Sequence, residues 1–183
     1  MPEAVLETER LTLRELEPGD VDALSEVLGD PWTMRFYPHP FSRDEVVHWI
    51  DRWRESYRDN GFGLWAVVPR DTGELAGDTG LTIQTVDGED LVEVGWHIHR
   101  RLQRQGLATE AGRASIDHGF GALGLDRIIS LIRPENVPSW RVAEKLGMHV
   151  WKETDRSHYR HRVYVLERDE WAPTLADGGR RVV

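Results

Sequence analysis

The spacing of apolar positions changes several times along this chain, and each change marks an element. Leu11-Thr12-Leu13-Arg14-Glu15-Leu16 alternates apolar and polar residues and predicts a first strand. Pro18-Gly19-Asp20 then opens a helix carrying Val21, Leu24, Val27 and Leu28 on one face. Ser42-Arg43-Asp44-Glu45 has the pattern of a capping box, and the helix it starts should reach about Tyr57, burying Val46, Trp49, Ile50 and Trp53. Two strands follow, Gly61 to Val68 and Leu75 to Val86, joined at Asp71-Thr72-Gly73-Glu74. Asp87-Gly88 turns the second of them into a third, which runs to about His99. A long helix is expected from Gly106 to Ala122, a strand from Asp126 to Arg133 and a helix from Asn136 to Leu146. Two closing strands lie near Val150 and Val163. The order β-α-α-β-β-β-α-β-α-β-β, with seven strands, reads as a mixed α/β fold with an antiparallel hairpin region. Residues 1–171 form one expected domain, and residues 172–183 read as a flexible tail.

Composition narrows the function classes. The chain has 183 residues, enough for one domain with a substantial core, and its 39% apolar and 30% charged residues suit an ordinary globular protein. It has no cysteine, which excludes disulfides, thiolate metal ligands and a cysteine nucleophile, and suits a cytoplasmic location. Met1-Pro2-Glu3-Ala4 lacks the start of a signal peptide, and no apolar run approaches membrane-spanning length, so no membrane partner is expected. A net charge of −9 argues against a nucleic-acid partner and is compatible with a cationic amine. Gly119-Phe120-Gly121-Ala122-Leu123-Gly124 spells a dinucleotide motif. It follows a helix and precedes a strand, the reverse of the order such a loop needs, so these glycines are expected to end the helix in left-handed geometry. His158 and His161 have no carboxylate cluster beside them, and no metal is expected.

One stretch carries chemistry. In Glu93-Val94-Gly95-Trp96-His97-Ile98-His99-Arg100-Arg101-Leu102-Gln103-Arg104-Gln105-Gly106-Leu107-Ala108-Thr109-Glu110-Ala111 a strand passes through a short basic turn straight into a helix. The first N–H groups of a helix have no partner inside it, so such a turn is a ready anion site. Gly106 admits close backbone approach, Ala108 keeps the next turn small, and Arg100, Arg101 and Arg104 bring positive charge. A phosphorylated ligand is expected here.

The pattern Gln103-x-x-Gly106-x-Ala108 after an apolar strand resembles the acyl-CoA pyrophosphate loop of the GNAT superfamily of N-acetyltransferases. Asn136-Val137-Pro138-Ser139-Trp140-Arg141-Val142-Ala143-Glu144-Lys145-Leu146-Gly147-Met148 is similar to that superfamily's second cofactor-side element. Glu7-Thr8-Glu9-Arg10-Leu11-Thr12-Leu13-Arg14 and Arg168-Asp169-Glu170-Trp171 resemble the RimJ/RimL-like ribosomal-protein acetyltransferases. The resemblance implies the GNAT fold, a mixed and mostly antiparallel sheet with flanking helices, splayed to admit acetyl-CoA as co-substrate. It implies direct attack of an amine on the thioester, without an acyl-enzyme. Trp96 and Ile98 would pair with the pantetheine arm, and Gln103, Arg104, Gln105, Gly106, Leu107, Ala108 and Thr109 would hold the pyrophosphate. A homodimer is common in Rim-type relatives.

The resemblance assigns the catalytic groups unevenly. Many members place a tyrosine seven residues after the asparagine matched by Asn136, but Ala143 stands there. Rim-type relatives without that tyrosine use a serine three residues after the asparagine, which Ser139 matches; its alternative role is a first-turn helix residue. Asn136 would both cap that helix and bond the cofactor. Some relatives carry a basic glutamate five residues before the asparagine, where this chain has Leu131. Glu93 is then the best carboxylate for a base, acting directly or through a water, against the alternative of a solvated strand-end residue. His39 and His97 are the next candidates.

An α-amine has a pKa near ~8 and a lysine one near ~10.4, so at neutral pH roughly a tenth of α-amines are already neutral. A modest base therefore suits an α-amine, such as a protein or peptide N-terminus. The aromatic segment Asp30 to Phe41 would border the acceptor or simply pack on the core. A small amine (a polyamine, an amino sugar or an amino-acid derivative) is the alternative acceptor, and a non-catalytic acyl-CoA-binding module is the non-enzymatic reading.

Overall fold

The computed structural model describes residues 4–156 and 158–173. Eight strands form one sheet in the order β1-β2-β3-β4-β5-β6-β8-β7. They are β1 (Ala4–Glu7), β2 (Leu11–Arg14), β3 (Leu64–Pro69), β4 (Gly77–Val86), β5 (Glu89–Ile98), β6 (Arg127–Ile132), β7 (His149–Arg156) and β8 (Tyr159–Glu167). Four α-helices cover it: α1 (Val21–Leu28), α2 (Arg43–Asn60), α3 (Leu107–Gly121) and α4 (Val137–Lys145). All neighbouring strands are antiparallel except β5 and β6, which α3 connects as a parallel pair.

Two apolar layers hold the helices to the sheet. On one face Leu24, Val27 and Leu28 of α1 and Val46, Ile50 and Trp53 of α2 meet Leu64 and Ala66 of β3. On the other, Leu107, Ala111, Ile116 and Phe120 of α3 meet Trp65, Val67, Leu81, Val94 and Ile98. The side chains of β3 alternate between these layers, which is why the strand reads as a continuous apolar run.

The expected elements are present, with four differences. The eighth strand is β1, whose four residues hold only two large apolar side chains, too few to show a period; pairing with β2 decides it. Pro18–Asp20 is a single 3₁₀ turn ahead of α1. The capping box forms as read, with Ser42 Oγ accepting from Glu45 N–H and Glu45 Oε2 accepting from Ser42 N–H, but α2 runs on to Asn60 and ends at left-handed Gly61. In the Gly119–Gly124 stretch the helix persists through Gly121, and only Gly124 is left-handed. Gly119 is there for packing, since a Cβ would sit 2.7 Å from Ile128 Cδ1. Most of the expected tail, residues 174–183, lies outside the described residues.

The β1–β2 turn is tied to the start of α3. Glu110, in the first turn of that helix, accepts from Thr8 Oγ1 at 2.6 Å, Arg10 N–H at 2.9 Å and Arg10 Nε at 2.6 Å. Arg10 Nη1 reaches on to the Gln105 carbonyl at 3.0 Å. Burial alone would push the Glu110 carboxyl up, but these donors hold it below the usual carboxylate range. A depressed carboxylate stabilises the fold above its unfolded pKa and stops doing so as pH falls through the folded value. Glu110→Gln should therefore lower unfolding free energy by about 1–2 kcal/mol at neutral pH, a figure reduced because Arg10 is half exposed. Denaturant titrations at successively lower pH should show the two proteins converging in acid.

Candidate active site

The parallel pair β5 and β6 meets at one bridged position, Glu93 with Ile129, and then parts. In a regular parallel ladder the Leu131 N–H would bond the main chain of β5. Here it donates to Glu93 Oε1 at 2.9 Å. The carboxylate stands at the fork, satisfies the first orphaned donor of β6 and leaves the strands open beyond it.

Backbone alternation decides what faces the opening. The His99 N–H donates to the Ala76 carbonyl of the adjoining chain, so every second residue back along β5 directs its backbone toward β4. The N–H and C=O groups of Trp96 and the N–H of Ile98 therefore point into the fork. The Ile98 carbonyl is taken by Gln103 Nε2 at 2.9 Å, so the Gln103 side chain shapes the turn from within.

Two helices begin at the C-terminal ends of the parting strands, where ligands of parallel sheets gather. Gly106 caps α3 in left-handed geometry (φ 84°) with no side chain capping the N–H groups that follow it, and Arg104 is also left-handed (φ 67°). Leu107, Ala108 and Thr109 form this uncapped first turn, closed only by Glu110 N–H to the Gly106 carbonyl. Free donors and a side-chain-free cap fit the pyrophosphate of a CoA-type co-substrate. The arginines divide. Arg100 lies 5.1 Å from the Trp32 ring centroid and Arg101 lies 3.6 Å from Glu26, whereas the exposed Arg104 stays at the turn. At the other helix start Asn136 Oδ1 accepts from Ser139 N–H at 3.3 Å, so Asn136 does cap α4. That bond leaves the Ser139 hydroxyl without a partner among the described residues.

The two faces of β5 have different surroundings. Val94, Trp96 and Ile98 face α3, and the Trp96 ring packs beside Gly112. Glu93, Gly95 and His97 face the side of α1 and α2. Gly95 leaves bare floor between the other two, since a Cβ there would meet nothing within 4 Å. Glu93 is no solvated strand-end residue: it sits mid-strand, and burial pushes its carboxyl above the usual range against the Leu131 N–H, Arg156, Gln84 and His97, which pull it back.

His97 is 8% exposed and fully committed. Its Nδ1 lies 2.6 Å from Asp78 Oδ1 and its Nε2 lies 2.6 Å from the Tyr37 hydroxyl. The second Asp78 oxygen accepts from Trp49 Nε1 at 2.8 Å. Sequence reasoning placed Trp49 in the core, took Tyr37 only as part of the aromatic segment Asp30 to Phe41, and gave Asp78 no role. The available signal for Asp78 was an acid set inside the strand expected from Leu75 to Val86. His39, the other alternative base, is exposed and held by Glu45 at 2.7 Å. Among the described residues no group of three or more His, Cys, Asp or Glu could hold a metal, and no helix is long and apolar enough to cross a membrane.

The model of the acetyltransferase (GNAT) domain family matches residues 10–149, so the chain belongs to the GNAT family. It is 34% identical over 148 residues to YkkB of Bacillus subtilis, covering 80% of this chain and 86% of that protein. It is 33% identical over 142 residues to the N-acetyltransferase YnaD of the same organism, covering 77% and 80%. A putative ribosomal-protein-serine acetyltransferase from Vibrio cholerae superposes with a TM-score of 0.74 at 25% identity, over 91% of this chain and 99% of that one. The protein is an N-acetyltransferase of the GNAT fold.

Two measurements probe the site itself. Gly106→Val fills the bare cap and strains a left-handed position, so acetyl-CoA affinity by calorimetry should fall at least about tenfold with circular dichroism unchanged. Glu93→Gln keeps an acceptor for Leu131 and removes a buried charge. A carboxyl whose folded pKa is raised costs stability as pH climbs past its unfolded value. The variant should therefore melt higher than the parent at neutral pH and lose that advantage below the ordinary carboxylate range.

Proposed function

We propose that the chain moves the acetyl group of acetyl-CoA to the α-amine of a protein or peptide N-terminus. The observation that carries this reading is the fork at Glu93 with the bare Gly95 floor beside it. Backbone of β5 and the uncapped start of α3 line the way in for the thioester, and the opposite face of β5 lies open to an amine. In this reading the residues from Gln103 to Thr109, with Asn136, hold CoA, and Trp96 and Ile98 pair with its pantetheine arm. The Ser139 hydroxyl protonates the departing thiolate, and Glu93 takes a proton from the attacking nitrogen. A carboxylate lifted by burial is a stronger base than a solvated one, yet weak enough to favour an α-amine over lysine. The loop after α1 supplies Trp32, Phe36 and Tyr37 to the acceptor side, with Arg35 stacked on Trp32 and Phe36, which suits a peptide laid over aromatic rings. The name of the Vibrio cholerae neighbour points the same way. The reading includes a cytoplasmic location and, on the RimJ/RimL-like resemblance alone, a homodimer.

Thiol release from acetyl-CoA tests this reading across peptides with free N-termini, N-blocked peptides bearing lysine, and polyamines. Free N-termini should react fastest, and faster turnover of polyamine or lysine would overturn the proposed acceptor. Ser139→Ala should cost roughly a hundredfold in kcat. Gly95→Val should abolish turnover by filling the acceptor floor. Both should bind acetyl-CoA as the parent does.

A further inference from the structure

Acetyl transfer from a thioester to a protonated amine removes two protons from nitrogen. The ammonium must lose one before it can attack, and the tetrahedral adduct loses the second as the C–S bond breaks. One proton ends on the thiol and one leaves for solvent. A single carboxylate and a serine account for the second proton and the thiol, and leave the first without a route.

Resting on the acyl transfer proposed above, we infer that Tyr37, His97 and Asp78 form a relay that removes the first proton from the acceptor ammonium. Asp78 is 0% exposed and as a carboxylate can only accept, so it takes the Nδ1–H of His97 and leaves Nε2 as a bare acceptor. The Tyr37 hydroxyl, 2.6 Å from Nε2, donates to it and keeps an oxygen lone pair free. In the step, an ammonium N–H bond breaks as its proton goes to the Tyr37 oxygen, while the Tyr37 O–H proton passes to His97 Nε2. The amine is then neutral, the tyrosine is again a hydroxyl, and the imidazolium rests against Asp78 until it yields its proton to solvent.

The surroundings fit a relay better than a purely structural knot. Tyr37 is 39% exposed and its loop borders the open face of β5, while its hydroxyl turns inward to a histidine that is almost fully buried. Burial first, then the charges of Glu93 and Asp78, push the Tyr37 pKa up, so the residue stays a neutral hydroxyl and suits passing a proton rather than storing one. His97 and Glu93 lie on the same face of β5 with only Gly95 between them, so the two proton acceptors flank one floor. The charged or titratable groups around the relay are Asp78 from β4, Glu93 from β5, Tyr57 from α2, which feels the Asp78 charge, and Arg133, whose Nη1 donates to the Phe36 carbonyl beside Tyr37. The Trp49 indole from α2 holds Asp78 in place without titrating. Asp78 acts through His97 and is a positioning residue.

The test is the pH dependence of kcat/KM for a peptide α-amine, from about two units below to about one unit above the amine's pKa near ~8. Tyr37→Phe retains the ring and removes only the hydroxyl. The variant must capture amine that is already neutral, so its rate should climb tenfold per pH unit up to the amine pKa while the parent's profile is flatter. The deficit should be about a hundredfold at the acid end and vanish at the alkaline end. Asp78→Asn should show the same shape, with acetyl-CoA affinity unchanged in both proteins. A Tyr37→Phe profile parallel to the parent's at every pH, whether lower or equal, overturns the relay and leaves the proposed transfer standing. Absence of turnover by the parent with every amine tested overturns the transfer and the relay together.

Discussion

The site depends on one hydrogen bond that the sheet does not make. Two parallel strands joined by a helix normally continue their ladder to the end, because every unpaired N–H in the interior costs about as much as a lost hydrogen bond. Here the β6 donor that would continue the ladder, Leu131 N–H, is satisfied by the Glu93 side chain. The strands can then separate without an orphaned donor at the fork. The opening exposes main-chain groups of Trp96 and Ile98 that a continued ladder would have paired, and it brings the starts of α3 and α4 to its rim.

The fork also explains how an acidic protein can offer an anion site. Of the three arginines at the turn, Arg101 leans toward Glu26 of α1 and Arg100 lies over Trp32 in the loop after it, which leaves Arg104 at the turn itself. The backbone adds free donors beside it: an uncapped first turn, entered through left-handed Arg104 and Gly106. Such a site works only if the turn keeps its shape. The Glu110 clasp supplies that shape from outside, since Thr8 and Arg10 hold the helix start and Arg10 also holds the Gln105 carbonyl. The Thr8–Arg10 segment near the N-terminus thus does its work about a hundred residues away.

Alternation along β5 sorts the chemistry by face. Odd-numbered residues carry the ionisable side chains Glu93 and His97, with Gly95 clearing the space between them. Even-numbered residues turn their side chains into the α3 layer and their backbones into the fork. A shift of one residue in register would exchange the two sets. The antiparallel pairing of β4 with β5 over ten positions fixes that register, and the same pairing sets Asp78 opposite His97.

The sequence by itself determined most elements, their order and the strand-to-helix turn after β5, because these rest on local patterns: apolar spacing, the Ser42 capping box, and glycine at a strand-to-helix junction. It also identified the GNAT resemblance that the family match bears out. It missed β1, which is too short to show a period and exists because β2 pairs with it. It could name Glu93 but not what surrounds it, because a desolvated carboxylate and a solvated one are the same letter and only the packing around β5 lifts this one. Tyr37, Asp78 and His97 are separated by 41 and 19 positions and carry no joint motif. Their assembly, like the clasp between Arg10 and Glu110, was decided by the tertiary structure alone, because hydrogen bonds between side chains depend on which residues the sheet and the loop after α1 bring within 3 Å, and that distance has no trace in local sequence.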